Sequence, residues 1–315
     1  MDLEEQILRY YLSLFSFLII YLIFLLTINS IEIDSKIIDI SKGESIKKIS
    51  NKITYSENFF NKKIYYLLFS LSNKYYLPIK YGKFKIKKKI KAFELIKIIS
   101  SKSNLDYRIT IVEGWEKYQL NNYLLSYYND FKEIPYNKLI ANTYVINSTN
   151  SYDNFVEFLI KNKKNFFKAN KDNDLLKKYS IDEILVISSL VEKEAKNNLD
   201  KPIIASIIFN RLNLGMKLQI DASVIAAITQ GKYRLNRSLT YKDLKLDNLL
   251  NTYNIQGIPK EMICYVGLKT IKIVLENPKS DFLFYFYNII EKKHIFSKTY
   301  KEHKKKLNEY RKQTK

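Results

Sequence analysis

The chain has 315 residues, 46% of them hydrophobic and 14% aromatic, which is ample for packed cores, excludes a disordered chain, and suggests roughly two folded units. Lys and Arg number 53 against 32 Asp and Glu, a formal charge of +21. The single cysteine, Cys264, excludes an intramolecular disulfide, and the two histidines, His294 and His303, argue against a zinc site, so the expected chemistry is free of metal and cofactor.

The positive charge would attract polyanions. Lys, Ile, Asn and Tyr are all abundant, however, while Gly and Pro number 7 and 5, a chain-wide drift that adds lysine everywhere. Basic runs such as Lys85–Lys91 and Lys301–Lys315 therefore read as solvated faces. No nucleic-acid-binding signature accompanies them, and no nucleic acid partner is expected.

In chain order, the first signal is the apolar run YYLSLFSFLIIYLIFLLTI at residues 10–28, long enough to cross a bilayer core as a helix. A cleaved signal peptide would have a shorter apolar core and a small-x-small cleavage site, which TINSIEID lacks. Arg9 stands among Asp2, Glu4 and Glu5, so flanking charge orients the span poorly. A short cytoplasmic stub followed by a large body favours a single-pass anchor, residues 1–30, with the body outside the cytoplasm.

Beyond it, Ile31, Ile33, Ile37, Ile38 and Ile40 alternate as in a strand, Lys42-Gly43 reads as a turn, and Ser45 opens an amphipathic helix. A second strand block, KYGKFKIKK, precedes a helix over AFELIKIIS. Strand, helix, helix, strand, helix over residues 31–104 make a small α+β unit. From 105 to 315 the chain opens with a strand, YRITIVEGW, and continues mostly helical. The expected class is α+β, with a single transmembrane helix, a small α+β subdomain and a mostly helical α+β domain.

Ser180 followed by Glu183 is a capping-box pattern, with Asp182 also suited to a helix N-terminus. In the helix that follows, Ile184, Ile187, Leu190 and Val191 fall on one apolar stripe. Glu194 projects into that stripe between Ile187 and Leu190, whereas Glu192 points with Leu185. A carboxyl in apolar surroundings has its pKa raised and can donate a proton near neutral pH, as the general acid of a glycosidase must. The competing reading is a solvated last turn with Glu192 and Lys196 as an i,i+4 pair.

Longer patterns give that glutamate a context. SSLVEKEAKNNLDKPIIASIIFNRLNLGMKLQIDASVIAAI (Ser188–Ile228) resembles the signature of the YceG-like endolytic murein transglycosylases, the MltG family. VEGW (Val112–Trp115), LIANTY (Leu139–Tyr144), NTYNIQGIP (Asn251–Pro259) and HIFSKTYKEH (His294–His303) resemble further family patches in the same order. The resemblance implies a LysM-like subdomain at residues 31–104 and a transglycosylase domain at 105–315. It implies cleavage of the MurNAc-GlcNAc β-1,4 bond within nascent peptidoglycan strands, leaving 1,6-anhydro-MurNAc ends, on the outer face of the cell membrane and in the company of cell-wall synthases. The 6-hydroxyl of the sugar is then the nucleophile, so one carboxyl suffices as acid and base.

By the same resemblance Glu194 is the acid/base, with Glu192 as runner-up or as a cleft-rim carboxylate. Asn210 and Arg211 are cleft polar groups or a packing device, and Gln219 and Asp221 are sugar contacts or turn chemistry. Asn251 and Tyr253 are glycan contacts, and His294 is a cleft-lining or structural residue. The chain departs from the family pattern at Ala141 and Asn142, at Ala222, at Ala195 beside the acid, and in the loops around Pro259–Gly267 and before His294. Two readings from other classes stay open: a catalytically silent glycan-binding or scaffold protein of cell-wall synthesis, and a membrane-tethered polyanion binder.

Overall fold

The computed structural model describes residues 3–129 and 131–313. Residues 1–2 of the expected stub and 314–315 of the C-terminal basic run lie outside the described residues. By internal packing the chain forms two units, Met1–Arg108 with Val145–Asn150, and Ile109–Tyr144 with Ser151–Lys315. The sequence boundary expected at 104 falls a few residues earlier and does not anticipate the return of 145–150.

The first unit begins with α1 (Leu3–Thr27), which from Glu4 to Thr27 is long and apolar enough to cross a membrane. Residues 4–20 of it are exposed, while Leu25 is buried in the core of the unit with Tyr21, Leu22 and Leu26 packed beside it. There follow β1 (Ser30–Glu32), β2 (Ile37–Ile40), α2 (Ile46–Ile53), α3 (Phe59–Tyr75), β3 (Gly82–Lys85), β4 (Lys89–Lys91) and α4 (Ala92–Ser100). The expected block from Ile31 to Ile40 is thus two short strands, and the block KYGKFKIKK holds β3 and ends just before β4. The chain bends between them, and β1 pairs with β4 while β2 pairs with β3, both antiparallel.

Local chemistry accounts for these elements. Gly43 takes φ +79°, a left-handed conformation that favours glycine, and the Ser45 hydroxyl accepts from the Lys48 amide at 3.3 Å to start α2. Alternation in the strands and the helical period in α2 and α4 bring Ile31, Ile38, Ile40, Ile49, Ile53, Phe84, Leu95 and Ile99 into one apolar core. Segment 145–150 joins this unit through side chains: Ser148 Oγ lies 2.7 Å from Ser103 Oγ, and Asn147 donates to the Ser103 carbonyl at 2.7 Å.

Strand β5 (Asp106–Thr110) pairs with β6 (Thr143–Asn147), and the second unit holds α5 (Lys117–Leu124) and a 3-10 turn at Tyr136–Lys138. Helices α6 (Tyr152–Ala169), α7 (Asp174–Lys178), α8 (Ile181–Glu194), α9 (Asp200–Asn213), α10 (Asp221–Thr229), α11 (Tyr241–Leu244) and α12 (Leu268–Leu275) follow. The chain closes with the hairpin β7 (Phe284–Asn288) and β8 (Lys293–Ser297), then α13 (Tyr300–Gln313).

Helix α8 is the axis of this unit. Ser180 Oγ accepts from the Glu183 amide, and the Glu183 carboxylate accepts from the Ser180 amide at 2.7 Å, completing the capping box. The expectation of a single apolar stripe is corrected here: every residue from Ile184 to Val191 is buried, because α9, α10 and α12 all pack against the helix. Ser188 and Ser189 tolerate that burial by donating to the carbonyls of Ile184 and Val186, each at 2.7 Å.

Candidate active site

Helix α8 ends at Glu194, where Ala195 turns to extended backbone (φ −67°, ψ 127°) and leaves the carboxyl at the wall of a cleft of about 360 Å³. The cleft is lined from three directions, by Lys193, Glu194 and Lys196 at the end of α8, by Gln219, Asp221 and Tyr253, and by Tyr285, Phe286, Tyr287 and His294 of the hairpin. All belong to the second unit.

The Tyr285 hydroxyl donates to Glu194 Oε2 at 2.9 Å. Burial is the main influence on the Glu194 carboxyl and raises its pKa above the usual range; the nearby Asp221 charge raises it further, while the Tyr285 hydrogen bond, His294 and Lys196 act the other way. The C-terminal end of a helix also disfavours negative charge, in the same direction. The result is a carboxyl biased toward its protonated form, with a neutral hydroxyl as its hydrogen-bond donor.

The hairpin register sets the opposing wall. In the antiparallel pair Tyr285 faces Phe296 and Tyr287 faces His294, and alternation puts Tyr285 and Tyr287 on one face. His294 lies edge-on to both rings, at 5.8 and 5.1 Å between centroids, and its Nδ1 is 2.7 Å from Asp200 Oδ2 at the start of α9. The Lys196 ammonium sits 5.7 Å over the Tyr287 ring. Burial, with the Glu194 charge adding, pushes the Tyr285 phenol well above its ordinary pKa, so it remains a donor.

The third wall is a turn entering α10. Gln219 has φ +51°, and its amide donates to the Thr252 carbonyl at 3.1 Å. The Ile220 amide donates to Thr252 Oγ1 at 2.8 Å, which ties the turn to the 251–254 segment. Asp221, the first residue of α10, accepts from the Tyr253 hydroxyl at 2.6 Å. Gln219, Asp221, Tyr253 and His294 are thus brought together with Glu194.

Other expected site residues are engaged differently. Asn210 turns its amide to the carbonyls of Ser280 and Phe282, at 2.8 and 3.0 Å. Arg211 reaches the cleft wall, but its guanidinium donates to Leu283 at 2.8 Å and Leu218 at 2.6 Å and lies 5.3 Å over the Phe284 ring. Together they fasten the segment that leads into β7. Asn251 is fully buried, its amide donating to the carbonyls of Leu244 and Leu246, at 3.0 and 2.8 Å. It shapes the turn that presents Tyr253, and its Oδ1 accepts from the Tyr253 amide.

Glu192 corrects the reasoning used to separate the two glutamates. Its side chain is 6% exposed, as dry a position as any expected of Glu194, but it meets the equally buried Lys201 at 2.7 Å and accepts from Thr270 Oγ1. The i,i+4 partner Lys196 is engaged elsewhere, over Tyr287. Burial alone therefore does not distinguish the glutamates. One has a cation for a partner and the other a phenol.

Tyr285, Asp200 and Lys201 take part in these contacts without having been singled out in the sequence. Tyr285 is one of 26 tyrosines, in a stretch whose aromatic alternation marks a strand and nothing more specific. A larger cavity of about 520 Å³ lies around Tyr136 and Met262, but its Glu133 is already held by Lys117 at 2.9 Å. Among the described residues no group of three or more His, Cys, Asp and Glu side chains is gathered as a metal would require.

The model of the YceG-like family matches residues 38–309. An endolytic murein transglycosylase of Bacillus subtilis (strain 168) is 32% identical over 173 residues, 55% of this chain and 47% of that protein. An endolytic murein transglycosylase of Streptococcus pneumoniae (serotype 2, strain D39) is 27% identical over 179 residues, 55% of this chain and 31% of that protein. The matched region thus spans about half of the first relative and about a third of the second. A crystal structure of a yceG-like protein from Listeria monocytogenes is similar with a TM-score of 0.55 at 25% identity, covering 85% of this chain and 98% of that one.

Proposed function

The chain belongs to the YceG-like family, and from that premise we propose that it is an endolytic peptidoglycan lytic transglycosylase with Glu194 as its single acid/base. The observation that carries the assignment is the raised pKa of a carboxyl hydrogen-bonded by a phenol, at the wall of a cleft with sugar-compatible groups on its other sides. The relatives named as endolytic murein transglycosylases support the substrate class.

In this reading a glycan strand lies in the cleft with a MurNAc-GlcNAc β-1,4 bond beside Glu194. The protonated carboxyl gives its proton to the bridging oxygen as the bond from that oxygen to MurNAc C1 breaks. Positive charge gathers at C1 and the ring oxygen. The 6-hydroxyl of the same MurNAc then bonds to C1 and passes its proton to the Glu194 carboxylate. One C–O bond is lost, one is formed, water is not consumed, and the acid is restored. Attack from within the same sugar has an effective-concentration advantage over water.

The remaining groups take supporting roles. Tyr285 holds the carboxyl in place, and Asp221, near enough to act on Glu194, favours developing positive charge on the sugar. Gln219 and Tyr253 suit the amide and hydroxyl groups of the substrate. Helix α1 anchors the protein in the cell membrane as a single pass, the body lies on the extracytoplasmic side, and the first unit is a LysM-like subdomain. Cell-wall synthases are the proposed partners.

The test incubates the full-length protein in detergent with un-crosslinked glycan strands and reads the new ends by mass spectrometry. Anhydro ends from the parent and their loss in Glu194→Gln are expected. Ends that carry the mass of added water would instead make Asp221 a water-activating base and the protein a hydrolase. No cleavage by the parent would favour a silent glycan-binding protein, and equal cleavage by both proteins would reject Glu194.

A further inference from the structure

The last two turns of α1 are engaged by the first unit. Tyr21 donates to Asn61 Oδ1 at 2.8 Å, and its ring lies 6.0 Å from that of Phe60. Leu22, Leu25 and Leu26 enter or pack against the core of the unit. Tyr21 nevertheless lies within the apolar run that ends at Ile28. At 1.5 Å per residue it is about 9 Å short of the helix end at Thr27. The start of α3 is therefore held alongside the apolar part of α1, not beyond it. A bilayer that takes up the whole run must also meet α3.

What α3 turns outward suits such an encounter. Phe59 and Phe60 are 74% and 57% exposed, and Leu67 and Leu71, at i+7 and i+11 from Phe60, continue the same face at 49% and 44%. Lys63, one turn after Phe59, carries its ammonium 4.4 Å over the Phe59 ring. A contiguous apolar stripe is unfavourable in water. Aromatic rings beside a lysine that can reach outward match the composition of a membrane interface.

We infer that the face of α3 bearing Phe59, Phe60 and Leu67 rests in the interfacial layer of the bilayer that α1 crosses, with Lys63 directed to anionic headgroups. The inference rests on α1 as a membrane span. Its consequence is a first unit held against the membrane by two elements, with α1 fixed at Tyr21 and not free to swivel at Thr27.

The full-length protein would be reconstituted in vesicles of phosphatidylethanolamine and phosphatidylglycerol, with lipids brominated either just below the headgroup or deep in the chain. Phe60→Trp and Phe15→Trp replace exposed side chains, and the parent, with Trp115 alone, supplies the background. The added Phe60→Trp emission should be quenched more by the shallow than by the deep bromines, and that of Phe15→Trp more by the deep ones. Quenching of Phe15→Trp alone would overturn the inference and leave the anchor standing. Quenching of neither would overturn both, and the assignment of Glu194, tested in detergent on glycan, would be untouched.

Discussion

The Tyr285 hydroxyl meets Glu194 Oε2 at 2.9 Å across 91 positions of sequence, and this bond couples the end of α8 to the β7–β8 hairpin. It opposes burial and Asp221, which both raise the carboxyl pKa. Tyr285→Phe should therefore raise that pKa further and carry the alkaline limb of the kcat/KM profile to higher pH, while kcat falls by about ten-fold through loss of positioning. Asp221→Asn should carry the same limb toward acid. Limbs that stay in place in both variants would show that another group governs the rate.

Glu194 also makes stability depend on pH. Its folded-state pKa lies above its unfolded value, so the native state binds the proton more tightly. Stability is then greatest below the unfolded value, near 4.5, and declines as pH rises through the raised folded value. Glu194→Gln cannot ionise, so at neutral pH it should melt at a higher temperature than the parent, and the gap should close as pH drops below 4.5. Parallel melting curves at every pH would contradict a raised carboxyl.

At Glu192 the expectation is the reverse. Removing the carboxylate in Glu192→Ala strands Lys201 in the interior, with the Glu113 carboxylate no nearer than 3.7 Å, and should cost about 3–5 kcal/mol in urea unfolding. The double variant Glu192→Leu with Lys201→Met, which removes both charges, should recover most of that loss. A single variant as stable as the parent would mean that the pair is not buried in solution.

Asn210 separates a structural from a binding role. Asn210→Ala frees the carbonyls of Ser280 and Phe282 and should cost about 1–3 kcal/mol of stability. Because those carbonyls lead into β7, kcat should fall with little change in KM. A raised KM at unchanged stability would return Asn210 to the substrate.

Much of the local structure is legible in the sequence because it depends on neighbours a few residues apart. The Ser180–Glu183 box, the turn at Gly43 and the apolar run of α1 are of this kind. The paired short strands of the first unit were less so, since Ile31 and Ile38 read as one alternating block until β4 and β3 claim them separately. Asn210, Arg211 and Asn251 were noticed as polar residues in motifs, but a motif does not say whether an amide faces a sugar or a carbonyl.

By itself the sequence determined that a helix would begin at Ser180 and carry two glutamates to its end. It did not determine what each of them would meet, because periodicity reports a direction around one helix and α8 is enclosed on every side. Tertiary packing decided that, by bringing Lys201 and Thr270 to Glu192 and Tyr285 to Glu194. The energy of a buried carboxyl is set by the charge and hydrogen bonding of whatever the fold places against it, and those partners lie up to 91 residues away.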